Sequence, residues 1–271
     1  MPILSMNEVT TYRWSLRDDV TRYAEAGYEG IGVWRQKLAD FGELAGLDLL
    51  ADSGLKVTNL LWAGGFTGSD GRSFAESLQD AMEALRLAAD LRAPVLVVYP
   101  GGRNNHTRRH AERLLRTALD SLLDLATAAE VTLAIEPMHP ACAQDWTFLC
   151  DLEATVGLID SFASPHLRLV LDAYHFGAED LLPLLPDLAS YVGIVHLGDR
   201  KRRPDMDQQR CLLGEGQVPL GQLVRGLVDH GYEGNFDVEL TGCEIELAGY
   251  DAVLESSLRQ FDQWVGSAEP R

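Results

Sequence analysis

Four short runs of strand-forming residues each end on a residue type that binds metal ions: Leu133–Glu136, Leu169–Asp172, Gly193–His196 and Phe236–Glu239. Each run is apolar and rich in Val, Ile or Leu, the pattern of a strand buried on both faces. They recur roughly 25 to 45 residues apart, the interval at which a strand and its crossover helix repeat. If these strands are parallel neighbours, their carboxyl ends share one rim. That rim would gather two Glu, one Asp and one His.

The rest of the chain has the same rhythm. Ile3–Met6, Gly30–Trp34, Val57–Trp62 and Val95–Tyr99 read as four earlier strands. A helix is expected to open at Ser15, with Asp18 three residues on as in a capping box. Phe74, Leu78, Ala81, Met82, Leu85 and Ala88 make a helical stripe. Further stripes start at Leu115 and Leu220, and Leu254, Leu258, Phe261 and Trp264 mark a closing helix. Eight strand–helix units without a long linker predict an α/β fold, a (β/α)8 TIM barrel forming a single domain over residues 1–271. An open doubly wound sheet is the alternative, but Met6-Asn-Glu-Val-Thr10 is not the glycine-rich phosphate turn it usually carries.

The chain has 41 acidic against 23 basic residues, a formal charge of −18. A surface of that sign repels nucleic-acid backbones, which leaves a small-molecule partner. Cys142, Cys150, Cys211 and Cys243 show no CxxC pairing, and Met1 leads directly into polar sequence. A cytoplasmic protein with reduced thiols is expected. No apolar stretch approaches the ~20 residues of a membrane span, and a homo-oligomer is left open.

A carboxylate at one strand end often caps the following helix. Three together would face a steep desolvation cost, which a cation removes. Glu136, Asp172, His196 and Glu239 are therefore expected to hold one divalent ion, hard or borderline in character. His139 and His175 each follow a ligand candidate by three residues. Each can be an outer-sphere orienter, a substrate hydrogen-bond donor or a general base. Trp62 and Tyr99 either wall a sugar-sized pocket or belong to the core. Gly214-Glu-Gly216 can cradle an anion. Arg210, in the long loop after His196, is expected to touch an anionic or polyhydroxy substrate.

Ala26-Gly-Tyr-Glu-Gly30 is echoed by His230-Gly-Tyr-Glu-Gly234. Superposing them sets Arg35 on Glu239, which would make Arg35 a substrate-facing cation at the rim. The plainer reading is a repeated helix-to-strand turn.

Glu136, Asp172 with His175, His196-Leu-Gly-Asp199, Gly214-Glu-Gly216 and Glu239, in that order, resemble the sugar phosphate isomerase/epimerase superfamily with its xylose-isomerase-like barrels. The resemblance spans nearly the whole chain. It implies that the four ligands hold Mn²⁺, Mg²⁺ or Co²⁺, and that His175 contacts substrate. Three departures narrow it. Strands three and four end at Trp62 and Tyr99, where the DNA-repair endonucleases of the group carry histidines. Cys142 stands where ketose epimerases place a second glutamate. Glu136-Pro-Met-His139 replaces the Glu-Pro-x-Asn of hydroxypyruvate-isomerase-like members and puts an imidazole base nearby. The expected activity is a metal-dependent isomerase or epimerase of a sugar or keto-polyol, working through an enediolate. Glu136, Glu239 or His139 would move the proton. A lyase (a dehydratase or glycoside eliminase) shares the first half-reaction, and a non-catalytic sugar-binding barrel is the third reading.

Overall fold

The computed structural model describes residues 2–144, 146–177 and 181–266. Eight parallel strands close on themselves: β1 (Leu4–Asn7), β2 (Gly30–Trp34), β3 (Lys56–Gly64), β4 (Val95–Tyr99), β5 (Thr132–Ile135), β6 (Leu167–Asp172), β7 (Val192–Leu197) and β8 (Asn235–Val238). Ser5 of β1 lies beside Gly30 of β2 and Asp237 of β8, which completes the ring. The expected barrel is present, with β1 one residue later than predicted.

The helices are α1 (Leu16–Ala26), α2 (Arg35–Phe41), α3 (Glu43–Ser53), α4 (Phe74–Asp90), α5 (Arg108–Ala129), α6 (Leu152–Asp160), α7 (Leu185–Leu188), α8 (Leu220–Asp229), α9 (Cys243–Ala248) and α10 (Tyr250–Gly266). Ser15 and Asp18 form the expected capping box at α1, and Ser73 with Glu76 forms another at α4. Each cap is worth about 1 kcal/mol. No helix among the described residues is long and apolar enough to cross a membrane. The four cysteines are free thiols.

Alternation along the strands sorts residues into two cores. Val33, Leu96, Leu171 and Val195 face the helices and join one large apolar cluster with Leu85, Leu119 and Leu223. Leu61, Val95, Val97, Ala134, Val170 and Ile194 fill the barrel itself. The interior beside β1 and β8 is polar instead. Asp237 is fully buried there and accepts from Ser5, Asn7 and Asn59. Gly32 makes this possible, because a Cβ there would lie 2.5 Å from an Asp237 oxygen. One step further along, the same inward phase carries Ala134 to Glu136, Val170 to Asp172, Ile194 to His196 and Asp237 to Glu239.

Candidate metal centre and active site

Ligand atoms of Glu136, Asp172 and His196 all lie within 4.8 Å of one another. His196 Nδ1 is 3.0 Å from Glu239 Oε2 and 4.0 Å from Glu136 Oε1. The four strand ends named from the sequence therefore meet. His175 joins them from the loop after β6, with Nε2 3.7 Å from Asp172 and 3.9 Å from Glu136. Both ring nitrogens of His175 are buried without a hydrogen-bond partner, as is Nε2 of His196. Apart from the 3.0 Å His196–Glu239 contact, these gaps are long for hydrogen bonds, and they suit groups gathered around an ion. Donors held about 2.1 Å from one cation sit roughly 3 to 4 Å apart.

The electrostatics agree with a cation. Burial opposes charge on His196, but Glu239 and Glu136 outweigh it and hold the imidazole up at about 10. Burial would raise Glu239, yet His196 and Arg210 hold its carboxyl down at about 2. Glu136 is pushed well above the usual range by burial, with Glu239 and Asp172 adding to it and His196 opposing. Arg210, 1% exposed, places Nη2 2.8 Å from Asp172 and 3.3 Å from Glu239. Asp172, Glu239 and Asp207 share the single guanidinium of Arg210 and Glu136 lies beside them, which leaves an excess of negative charge that a divalent ion would offset. The donor set fits a hard or borderline ion. A neighbouring group, Cys142, His175 and Asp207, is equally compact. Arg210 already neutralises Asp207 there, 3.0 Å away.

Above the cluster opens a cavity of about 850 Å³. Of the four candidate ligands, Glu136 and Glu239 line it, whereas Asp172 and His196 are wholly buried beneath. Trp62 and Tyr99 are half-buried and also line it, so they are wall rather than core. Trp34 and Trp146 complete that wall and were not foreseen. Trp34 was legible in principle, since Gly30, Gly32 and Trp34 share the inward phase. Trp146 sits in the loop after β5, where no periodicity marks it.

Four expectations need correction. Arg35 does not enter the mouth. Its Nη2 is 2.9 Å from Asp80 on α4, and Nη1 donates to the Trp62 carbonyl. In β2 the even-numbered residues face inward, whereas in β8 the odd ones do, so superposing Gly30 on Gly234 aligned opposite phases. The repeated motif is a turn: Gly27 and Gly231 have φ of +96° and +87°, each followed by a buried tyrosine. His139 is not among the residues lining the cavity. Its Nδ1 accepts from the Ala141 amide, and burial with Arg200 and Arg203 lowers its pKa. Arg210 does reach the centre, but beneath the cavity surface, where it pairs with the candidate ligands Asp172 and Glu239. The Gly214-Glu-Gly216 amides already hold an anion of this chain. Gly214 and Gly216 donate to Asp199 at 2.9 and 3.0 Å, tying the long loop to the end of β7.

The xylose isomerase-like TIM barrel family model matches residues 20–260. A fructoselysine 3-epimerase of Escherichia coli O157:H7 is 27% identical over 124 residues, 45% of this chain and 43% of that protein. An inosose isomerase of Halalkalibacterium halodurans is 26% identical over 182 residues, 65% of this chain and 63% of that protein. The chain thus spans about half the length of the curated relatives it matches. Among solved structures, protein SMc04130 of Sinorhizobium meliloti 1021 superposes with a TM-score of 0.87 at 25% identity, covering 96% of this chain and 97% of that one. The IolI protein, solved with a bound zinc atom, superposes at 0.85 with 20% identity, covering 99% and 100%.

Proposed function

The chain belongs to the xylose isomerase-like TIM barrel family, and from that premise we propose that it is a cytoplasmic, divalent-metal-dependent isomerase or epimerase of a sugar or keto-polyol. The observation that carries this reading is the split among the four ligand candidates. Asp172 and His196 are sealed, and Glu136 and Glu239 present surface to the cavity. The sealed pair would hold the ion. The cavity-facing pair can both ligate and reach a C–H bond of the substrate. Two carboxylates at one rim suit epimerisation through an enediolate, one to remove a proton and one to return it on the opposite face, and one of them suffices for isomerisation. A cation held there, Mn²⁺ in our reading, with Mg²⁺ or Co²⁺ as substitutes, would supply Lewis-acid polarisation of the substrate's carbonyl and hydroxyl oxygens. IolI, a barrel of the same fold, was solved with zinc.

The chain's other groups have supporting roles. Arg210, shared with Asp207, offsets part of the carboxylate charge and orients Asp172 and Glu239. The burial of His175 beside Asp172 and Glu136 fits an outer-sphere orienter better than a direct substrate contact. Relatives that act as a fructoselysine 3-epimerase and an inosose isomerase support the substrate class.

The test is hydrogen exchange. The manganese-loaded protein, incubated with ketoses and inososes in D₂O, should place deuterium at a carbon next to the carbonyl without losing a group, as read by NMR. Exchange with release of water or an aglycone would make it a lyase. No exchange on any ketose or inosose would leave a sugar-binding barrel.

A further inference from the structure

The cavity is built for more than a monosaccharide. At about 850 Å³ it lies near the top of the size range for sites that enclose drug-sized ligands. A free hexose bound at Glu136 and Glu239 would leave most of it empty. The remaining space is bounded by Trp34, Trp62, Tyr99 and Trp146, with Val9 and Met138 beside them.

These four rings form one connected cluster. Trp62 meets Tyr99 and Trp146 edge to face, with centroids at 6.4 and 5.1 Å and planes at 89° in both cases. Tyr99 meets Trp146 at 5.6 Å and 74°, and Trp34 stacks on Trp62 at 6.3 Å. Such a cluster offers ring faces and edges together, the surface that a further aromatic ring packs on. It offers a row of hydroxyls little to bond with, and burying hydroxyls unpaired is costly. The nearby charged groups are already engaged: Arg13 pairs with Glu246 at 2.9 Å, and Asp207 with Arg210.

The wall is also braced from behind. The Trp34 amide donates to Glu8 at 2.7 Å. Arg35 holds the Trp62 carbonyl at 3.2 Å, and Arg72 reaches the Tyr99 hydroxyl at 3.4 Å. Asp80 ties the two arginines together at 2.9 and 3.0 Å. A preformed apolar wall loses little freedom when a ligand arrives.

We propose that Trp34, Trp62, Tyr99 and Trp146 form a subsite for a flat apolar substituent, so that the substrate is a sugar carrying an aryl-type group rather than a free monosaccharide. This deepens the isomerase reading and rests on it for the sugar end alone. Calorimetric titration of the metal-loaded protein with 1-anilino-1-deoxy-D-fructose and with D-fructose tests it. The aryl ketose should bind about tenfold tighter or more, the return expected for burying one aromatic ring. Trp146→Ala and, separately, Trp62→Ala should each shrink that ratio severalfold without changing metal content by elemental analysis. An aryl ketose that binds no tighter than fructose overturns the subsite, as does a preference that survives both substitutions. The two readings fail separately. Tight aryl binding without deuterium exchange would leave the subsite and remove the isomerase, and exchange without aryl preference would do the reverse.

Discussion

Strands β5 to β8 lead into Glu136, Asp172, His196 and Glu239, whereas β2 to β4 lead into Trp34, Trp62 and Tyr99. One repeated unit builds both arcs of the rim, yet their physics is opposite. The acidic arc packs like charges together, and a counter-charge inside it relieves their repulsion. Arg210 supplies part of that from a fully buried position. The aromatic arc needs no counter-charge. Its cations, Arg35 and Arg72, stand behind the rings, paired with Asp80 and roughly a quarter to a third exposed. The buried cation pairs with the candidate ligands, and the partly exposed ones brace the wall from behind.

The contrast can be broken most severely in the acidic arc. Glu239→Gln should lower kcat by about 10² to 10⁴, the scale of a lost general acid or base, and weaken metal retention. Steady-state kinetics with elemental analysis would show both, and near-normal turnover would remove Glu239 from the reaction. Arg210→Met should come next. It leaves buried carboxylates without their partner, a loss of about 3 to 5 kcal/mol in the metal-free protein, measurable by urea denaturation. A change within error would mean that Arg210 neutralises nothing that matters.

Effects in the aromatic arc should be smaller. Arg35→Met removes a partly exposed ion pair worth about 1 kcal/mol or less and frees the Trp62 carbonyl. Metal content should stay at the wild-type level while KM rises a few-fold. Metal loss instead would show that the two arcs are not separable. The smallest effect is expected at His139. With its imidazole capping the Ala141 amide, His139→Ala should leave kcat within about twofold, against the roughly 10² expected of a true base. A loss on that larger scale would place His139 in the reaction after all.

The same contrast explains what was legible in the sequence. A carboxylate or histidine after a run of Val, Ile and Leu breaks the hydrophobic pattern, so Glu136, Asp172, His196 and Glu239 stood out as a set. Trp62 and Tyr99 break nothing, because an aromatic residue at a strand end reads equally as core. Trp62 owes its place in the wall to the register shift between Leu60 and Ala63, which no local pattern encodes, whereas Tyr99 follows the inward Val95 and Val97 by alternation. Arg35 was misplaced for a related reason. The Gly-Tyr-Glu-Gly echo marks where a strand begins but not which of its faces turns inward. Strand order and barrel closure were readable because each βα unit repeats its signal. Loop residues such as Trp146 and Asp207 repeat nothing, and only the folded chain shows them at the cavity.

The acidic arc's need for a counter-charge is open to direct measurement. Elemental analysis of the purified protein, paired with turnover before and after a strong chelator, should find one divalent ion per chain. Activity should fall with its removal and return on adding manganese. Purified protein with no stoichiometric metal and full turnover in the chelator would contradict a metal centre at Glu136, Asp172, His196 and Glu239.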